Sequence, residues 1–262
     1  MSDISSDPES EGQGPVKSFL EHIEDVRWLL FKLLITITVA WVLCFAYRTE
    51  ILGFLSEPLR RSGIENTQGF LKIPSPGAPF TIAFQIALYA GMVVSGPALI
   101  YFLAAYILPA LTSKERGYIR IAFWLGSLLF LAGVFFCYFV MLPMFLKVSR
   151  EWSEELGSKV EFYFLDDYVS FVCHFMLATG VSFELPLVIL VLVRAGVLSH
   201  SILARSRRYA VIIIVIVSAV LTPTSDVLSL LLMSGPLIVM YEACIWIAWF
   251  MEWQEKRSAI SS

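Results

Sequence analysis

Five carboxylates stand in or beside apolar runs: Asp25, Glu115, Glu184, Asp226 and Glu242. Glu184 is the most isolated. It sits in "TGVSFELPLV", and no other Asp, Glu, Lys or Arg occurs between Tyr168 and Val193. A carboxylate at the centre of a membrane helix costs about 3 kcal/mol on insertion scales. It persists where a cavity or a partner group meets it, or where a neighbouring helix hydrogen-bonds it for packing alone. Pro186, two residues on, removes a backbone donor and leaves an earlier carbonyl in need of a partner. Two readings stand for Asp226: a polar group set within the outer half of a bilayer, or the N-cap of the helix that follows it. Glu242, further along the same run, falls near the opposite interface. Glu115 and Asp25 lie in charged stretches, where a solvated face and a site for cations are both open.

Enzyme chemistry has no visible carrier. There is no G-x-x-x-x-G-K-[ST] loop, no H-E-x-x-H, no G-x-S-x-G elbow, and no Cys/His cluster with metal spacing. The reading is a protein without catalytic residues, metal or cofactor. Cys44, Cys137, Cys173 and Cys244 all fall in apolar segments and read as small packing residues. His174 reads as a packed or hydrogen-bonded core histidine. No basic run suggests nucleic acid.

The elements that must hold these groups are membrane helices. The chain has 262 residues, 58% of them apolar and 16% charged, with mean hydropathy +0.75. Several charge-free windows exceed the roughly 18 residues that mark a transmembrane helix. Residues 1–17 are acidic, Ser/Pro/Gly-rich and lack an apolar core, so they read as a disordered tail and not as a cleavable signal peptide. A capping box, Ser18 with Glu21, opens an amphipathic lead-in that lies at the interface and runs into span 1, Trp28 to Tyr47. "ILGFLSEPL" reads as an interfacial helix ending near Pro58. Span 2, Phe80 to Leu108, would be about 43 Å long, so tilt and a kink at Pro97 are expected. Span 3 covers Ile121 to Leu142, and a polar loop covers 147–167. Span 4 covers Tyr168 to Val193, span 5 Tyr209 to Thr222, and span 6 Val227 to Phe250. Residues 18–253 thus form one six-helix membrane domain, and 254–262 a polar tail.

Six spans put both termini on one side. Twelve of the nineteen Lys and Arg lie on that side, and the other seven share their side with nine acids. By the positive-inside rule both termini are cytoplasmic. Span 5 is only about 21 Å long. With its start held by Arg207 and Arg208 at the cytoplasmic face, the "TPTSD" turn falls below the outer surface. A hollow or thinned bilayer is expected there.

Four stretches carry a family resemblance: "SFLEHIEDVRWLLFK", "SGPALIYFLAAYILPALTSKERGY", "TGVSFELPLVILVLVRAGVLS" and "LTPTSDVLS". In order and topology, over residues 18–253, the chain resembles the TatC family of the twin-arginine translocase. The resemblance implies an all-α, six-helix wall that is cupped and concave, with short last helices, in the bacterial inner membrane. It implies a receptor core that binds Arg-Arg signal peptides of folded cargo at the cytoplasmic face and recruits single-span TatA/TatB-type subunits. It also implies self-association in a larger complex, and export driven by the proton gradient. The family's N-terminal recognition motif corresponds to His22, Glu24 and Asp25, with Asp25 where Glu is usual. The second recognition acid corresponds to Glu115. Arg27 matches the first arginine after the motif, while Leu29 replaces the second. Tyr106 stands where an aromatic precedes Pro109. Glu184 matches the buried glutamate of span 4, on the concave side, which receives a polar residue of a partner helix. Thr222, Pro223 and Asp226 match the partner-docking end of span 5. Guanidinium groups are bidentate partners of carboxylates, so two interfacial acids suit an Arg-Arg pair.

Two rival readings remain at this level. One is a proton-coupled secondary transporter or channel that titrates Glu184. It lacks an internal repeat, and the charge-free second and third spans offer a polar solute few ligands. The other is a scaffold with no ligand.

Overall fold

The computed structural model describes residues 19–64, 67–107, 116–157, 160–194, 196–222 and 226–260. The chain is almost wholly helical. Helix α1 is Phe19–Ala46, α2 Arg48–Arg61, α3 Thr67–Phe70, and α4 Ala78–Ile107. Helix α5, Arg116–Phe136, passes through a π-helical turn, Cys137–Met141, into α6, Leu142–Glu155. Then come α7 Leu165–Ser182, α8 Leu185–Arg194, α9 His200–Arg205, α10 Arg207–Leu221 and α11 Val227–Ile260. Two short strands, β1 Leu71–Lys72 and β2 Tyr163–Phe164, pair in parallel and tie the two loop regions together.

Among the described residues, five stretches are long and apolar enough to cross a membrane. They are Ile23–Ala46, Ala78–Tyr106, Phe123–Glu155, Leu165–Arg194 and Val227–Trp253. The molecule is therefore a multi-pass membrane protein. Helix α10, expected as span 5, has 15 residues and rises about 22 Å. It falls short of that length, as its sequence requires.

Other boundaries moved. The segment expected as loop from 147 remains helical to Glu155. Lys147 and Glu151, one turn apart, lie 3.9 Å from each other on its exposed face; charge ends a hydrophobic run, but not a helix. The last helix likewise continues past the apolar stretch to Ile260. Span 4 is not one helix but two, interrupted at Phe183 and Glu184. The Ser18 capping box and the tail 1–17 lie outside the described residues.

The core is built on α4, α5, the π-helical turn and α7, where Ile86, Phe130, Val134, Cys137, Val172 and Phe175 are buried together. Helix α1 packs on α4, and few of its side chains are buried. Trp28, Leu34, Val39 and Leu43 stay exposed, as lipid-facing side chains do. The pair is antiparallel: Trp41 meets Gly91, and Phe45 meets Phe84, which lies further back along α4. A Cβ on Gly91 would lie 2.9 Å from the Trp41 backbone nitrogen. Only glycine allows the two backbones to come this close.

Helix α2 runs through Pro58 to Arg61 and does not end near the proline. Pro58 has no N–H, so the Phe54 carbonyl, four residues earlier, loses its helical donor. The Tyr138 hydroxyl, from the π-helical turn, donates to that carbonyl at 2.8 Å. The Tyr138 ring also stacks on Phe54 with centroids 4.1 Å apart. Next to it, the Tyr168 hydroxyl donates to the Leu55 carbonyl at 2.8 Å. Two tyrosines from distant helices thus pin α2 to the core.

Tyr138→Phe leaves the Phe54 carbonyl unpaired and should cost about 1–3 kcal/mol. On a Pro58→Ala background, where residue 58 regains its N–H, the cost should shrink; thermal unfolding of the four detergent-solubilised variants measures the difference. The Arg60 guanidinium hydrogen-bonds Glu57 and holds its carboxyl below the usual carboxylate range. A lowered carboxylate stabilises fully above its ordinary pKa and loses this effect as pH falls through the lowered value. Protection of the amides at the C-terminal end of α2, relative to intrinsic exchange at the same pH, should therefore fall at strongly acidic pH, and Glu57→Gln should remove that fall.

Candidate functional site

The first group of candidate residues lies at the N-terminal end of α1. Glu24 and Arg27 pair one turn apart at 3.3 Å on an exposed face. Such a pair contributes little to stability, so its charges can be re-partnered at low cost. Asp25, on the next face, is half-buried. His22 lies in the helix, but its side chain is outside the described residues, and so is Glu115. Tyr106 is half-buried at the end of α4. The antiparallel register set by Trp41 against Gly91 and Phe45 against Phe84, continued along the two helices, brings Asp25 level with Tyr106. Acid and aromatic share one end of the α1–α4 pair.

The second group centres on Glu184. The Phe183 N–H donates to the Thr179 carbonyl at 3.0 Å, and the Glu184 N–H turns back to Val181 at 3.0 Å. The N–H that Ser182 would have accepted is missing, because residue 186 is proline. The helix therefore breaks, and α8 restarts with Val188 donating to the Glu184 carbonyl at 3.1 Å. The break directs the Glu184 side chain over Gly126 of α5. A Cβ there would lie 3.0 Å from Glu184 Oε2 and 2.9 Å from both Ile100 and Leu187. Gly133, two turns on, makes the same room for Phe183, with a Cβ separation of 2.7 Å. The carboxylate lies in this glycine-made seat with Oε1 buried and without a hydrogen-bond partner among the described residues. It can accept a hydrogen bond from a group that the described part of this chain does not supply.

The third group lies on α10 and α11. Thr222 ends α10, its N–H donating to Ser218 at 2.8 Å. Pro223 is outside the described residues. Asp226 caps α11: Oδ1 accepts the Ser229 N–H at 2.7 Å, and the Ser229 hydroxyl donates to the same carboxylate. The N-cap alternative is thus the one the structure takes. Glu242 pairs with Arg207 at 3.2 Å and fastens α11 to the start of α10. The Tyr241 hydroxyl does the same for α9 through the Leu203 carbonyl, at 2.9 Å. The Cys244 thiol faces the Pro186 carbonyl at 4.0 Å, which places α11 beside the break in span 4.

The candidates do not converge on one point. Asp25 and Tyr106 share the α1–α4 end, Glu184 is seated on α5, and Asp226 and Glu242 serve α11. Composition pointed to the acids but not to the glycines that receive them. The histidine read as a core residue is also placed differently. His174 is hydrogen-bonded, as expected, yet it is exposed on the face of α7 and meets Tyr89 of α4. No sequence spacing links residues so far apart. Among the described residues, no three His, Cys, Asp or Glu gather as a metal site.

Residues 21–236 match the family model of the Sec-independent protein translocase protein TatC. A TatC protein of Akkermansia muciniphila is 40% identical over 191 residues, which is 72% of this chain and 55% of that protein. A chloroplastic TATC protein of Arabidopsis thaliana is 30% identical over 88% of this chain and 66% of its own length. The chain thus spans somewhat more than half the length of these relatives. A crystal structure of the twin-arginine translocase receptor TatC superposes with a TM-score of 0.76 at 29% identity, covering 87% of this chain and 98% of that one.

Asp226→Ala should cost about 1 kcal/mol through loss of the cap, while Asp226→Asn, which keeps the acceptor, should cost a few tenths. Thermal unfolding of the two variants in detergent distinguishes them.

Proposed function

The chain belongs to the TatC family of Sec-independent protein translocase proteins, and on that premise we propose that it is the signal-peptide receptor of a twin-arginine export system. Its likeness to a solved twin-arginine translocase receptor along nearly the whole fold carries this reading. In it, α10 is the fifth of six spans, both termini are cytoplasmic, and the chain sits in a bacterial inner membrane. The end of α1 and the turn before α5 then face the cytoplasm.

Asp25 and Glu115 are the carboxylates that receive the two arginines of a signal peptide. Glu24 precedes Asp25 in the chain, and its pairing with Arg27 is loose enough to exchange. His22 and Tyr106 complete the lip, with the aromatic ring able to cover a guanidinium face. The apolar part of the peptide continues along lipid-facing α1 and α4. Binding is recognition without catalysis: charge-assisted, bidentate bonds set the preference for arginine over lysine.

Single-span TatA/TatB-type subunits dock on the same wall. Glu184 offers its unpartnered oxygen to one of their polar side chains. Thr222, which ends α10, and Asp226, which caps α11, are with Pro223 the residues against which a partner helix ends. Further copies of the chain complete the complex, and the proton gradient drives transport through the assembly.

Purified chain should bind an Arg-Arg signal peptide at least tenfold more tightly than its Lys-Lys counterpart. Asp25→Ala and Glu115→Ala should each weaken the Arg-Arg peptide about tenfold, as loss of a charged hydrogen-bond partner implies. Fluorescence anisotropy of a labelled peptide measures both. Unchanged affinity in the double variant would remove these residues from the site.

A further inference from the structure

The open face of α7 and α8 has a period. Asp167, His174, Val181 and Val188 recur at intervals of seven; His174, Val181 and Val188 are exposed, and Ser170, Leu177 and Glu184, three residues after each of the first three, are half-buried. The buried residues lie between them: Tyr168, Val169, Val172, Cys173, Phe175 and Met176 on the first turns. A stripe that repeats every seven residues, with a second position three further on, is the footprint of one helix packing along another at a shallow crossing angle. It follows α7 from 167 to 182, about 22 Å, and continues past the break onto α8.

Beyond Asp167 and Ser170 at its start, the stripe carries two further polar rungs. One is Glu184. The other is a pair of side chains about 15 Å away along the helix. His174 Nδ1 lies 2.8 Å from the Ser170 carbonyl. A carbonyl only accepts, so Nδ1 carries the proton and Nε2 is the acceptor. The Tyr89 hydroxyl donates to that Nε2, with the two rings edge to face at 4.6 Å. Gln85, one turn before Tyr89 on α4, accepts from the Ser170 hydroxyl at 3.5 Å. The Tyr89 proton is committed to His174, so the phenol oxygen keeps its lone pairs for an outside donor. Hydrocarbon supplies none.

We propose that this seam seats one transmembrane helix of another polypeptide, with a donor side chain such as glutamine or serine meeting the Tyr89–His174 pair. A second donor on the same helix, about ten residues away, meets Glu184. The inference rests on the reading that partner helices dock near Glu184. It extends that reading to a second, mid-membrane contact and to a register. Apolar Leu177 and Val181 fill the space between the rungs, so the two polar contacts fix how far the partner slides. Lipid, water or a second copy of this chain on the seam are the competing occupants.

The test uses the full chain co-expressed with the single-span subunits of its export system and purified in mild detergent. The readout is the amount of subunit retained, with Arg-Arg peptide binding as the check of integrity. Tyr89→Phe keeps the ring and removes only the hydroxyl, so it decides the matter even where a histidine variant folds poorly. Retention should fall about three- to tenfold in Tyr89→Phe and in His174→Leu. It should stay within about twofold in His174→Gln, which still accepts a hydrogen bond from Tyr89. Peptide binding should not change. Unaltered retention in Tyr89→Phe overturns the proposal, because lipid or water then covers the pair. Glu184→Gln separates the two readings: a loss there alone leaves docking near Glu184 standing, and no loss in any variant brings down both. Retention that survives only with a second copy of this chain present also overturns it.

Discussion

Hydrocarbon gives no hydrogen bonds, and every irregularity in this fold is shaped by that absence. A proline within a helix normally leaves a carbonyl to water. Here Pro58 leaves the Phe54 carbonyl, and Tyr138 answers it from another helix. His174 is answered by a backbone carbonyl on one side and a phenol on the other. Asp226 is answered by Ser229, and Glu242 by Arg207. Against this background Glu184 Oε1 and four other buried side-chain oxygens, on Ser127, Asp166, Ser182 and Ser218, find no partner among the described residues. Asp226 and Glu242 are paired internally, whereas Glu184 keeps one oxygen for the partner helix proposed above.

Small residues make that arrangement possible. Gly126 gives Glu184 its seat and Gly133 gives Phe183 room. Gly91 lets the α1 backbone lie against α4, which aligns Asp25 with Tyr106. The glycines decide where each acid sits more than the acids themselves do, and in a membrane this close packing replaces the hydrophobic drive that water would supply.

Much of the architecture was legible in the sequence because insertion into lipid is read one residue at a time. Charge-free runs announced the spans, and the brevity of α10 followed from Arg207 and Thr222 alone. Pro186 marked a disturbed backbone near Glu184, though not a full break into two helices. Helix ends were read badly where hydropathy and helix propensity part company. Lys147 to Glu155 is polar, yet its Lys and Glu favour helix and its charges pair one turn apart, so α6 runs on. The end of α11 is likewise polar and helical. What could not be read was any contact between distant segments: Tyr89 with His174, Tyr138 with Phe54, or Gly126 beneath Glu184. These depend on helix rotation, which the packing of large and small side chains sets.

With α10 as the proposed fifth span, its length of 15 residues has an electrical consequence. A bilayer drawn in to match a helix of about 22 Å is a thinner insulator than one of about 30 Å. The same membrane voltage then falls over a shorter distance, and the local field is about a third steeper. Any charge carried through that region does its electrical work, about 2.3 kcal/mol per elementary charge per 100 mV, over fewer ångströms. In the proposed six-span arrangement the short helix would act as a field concentrator.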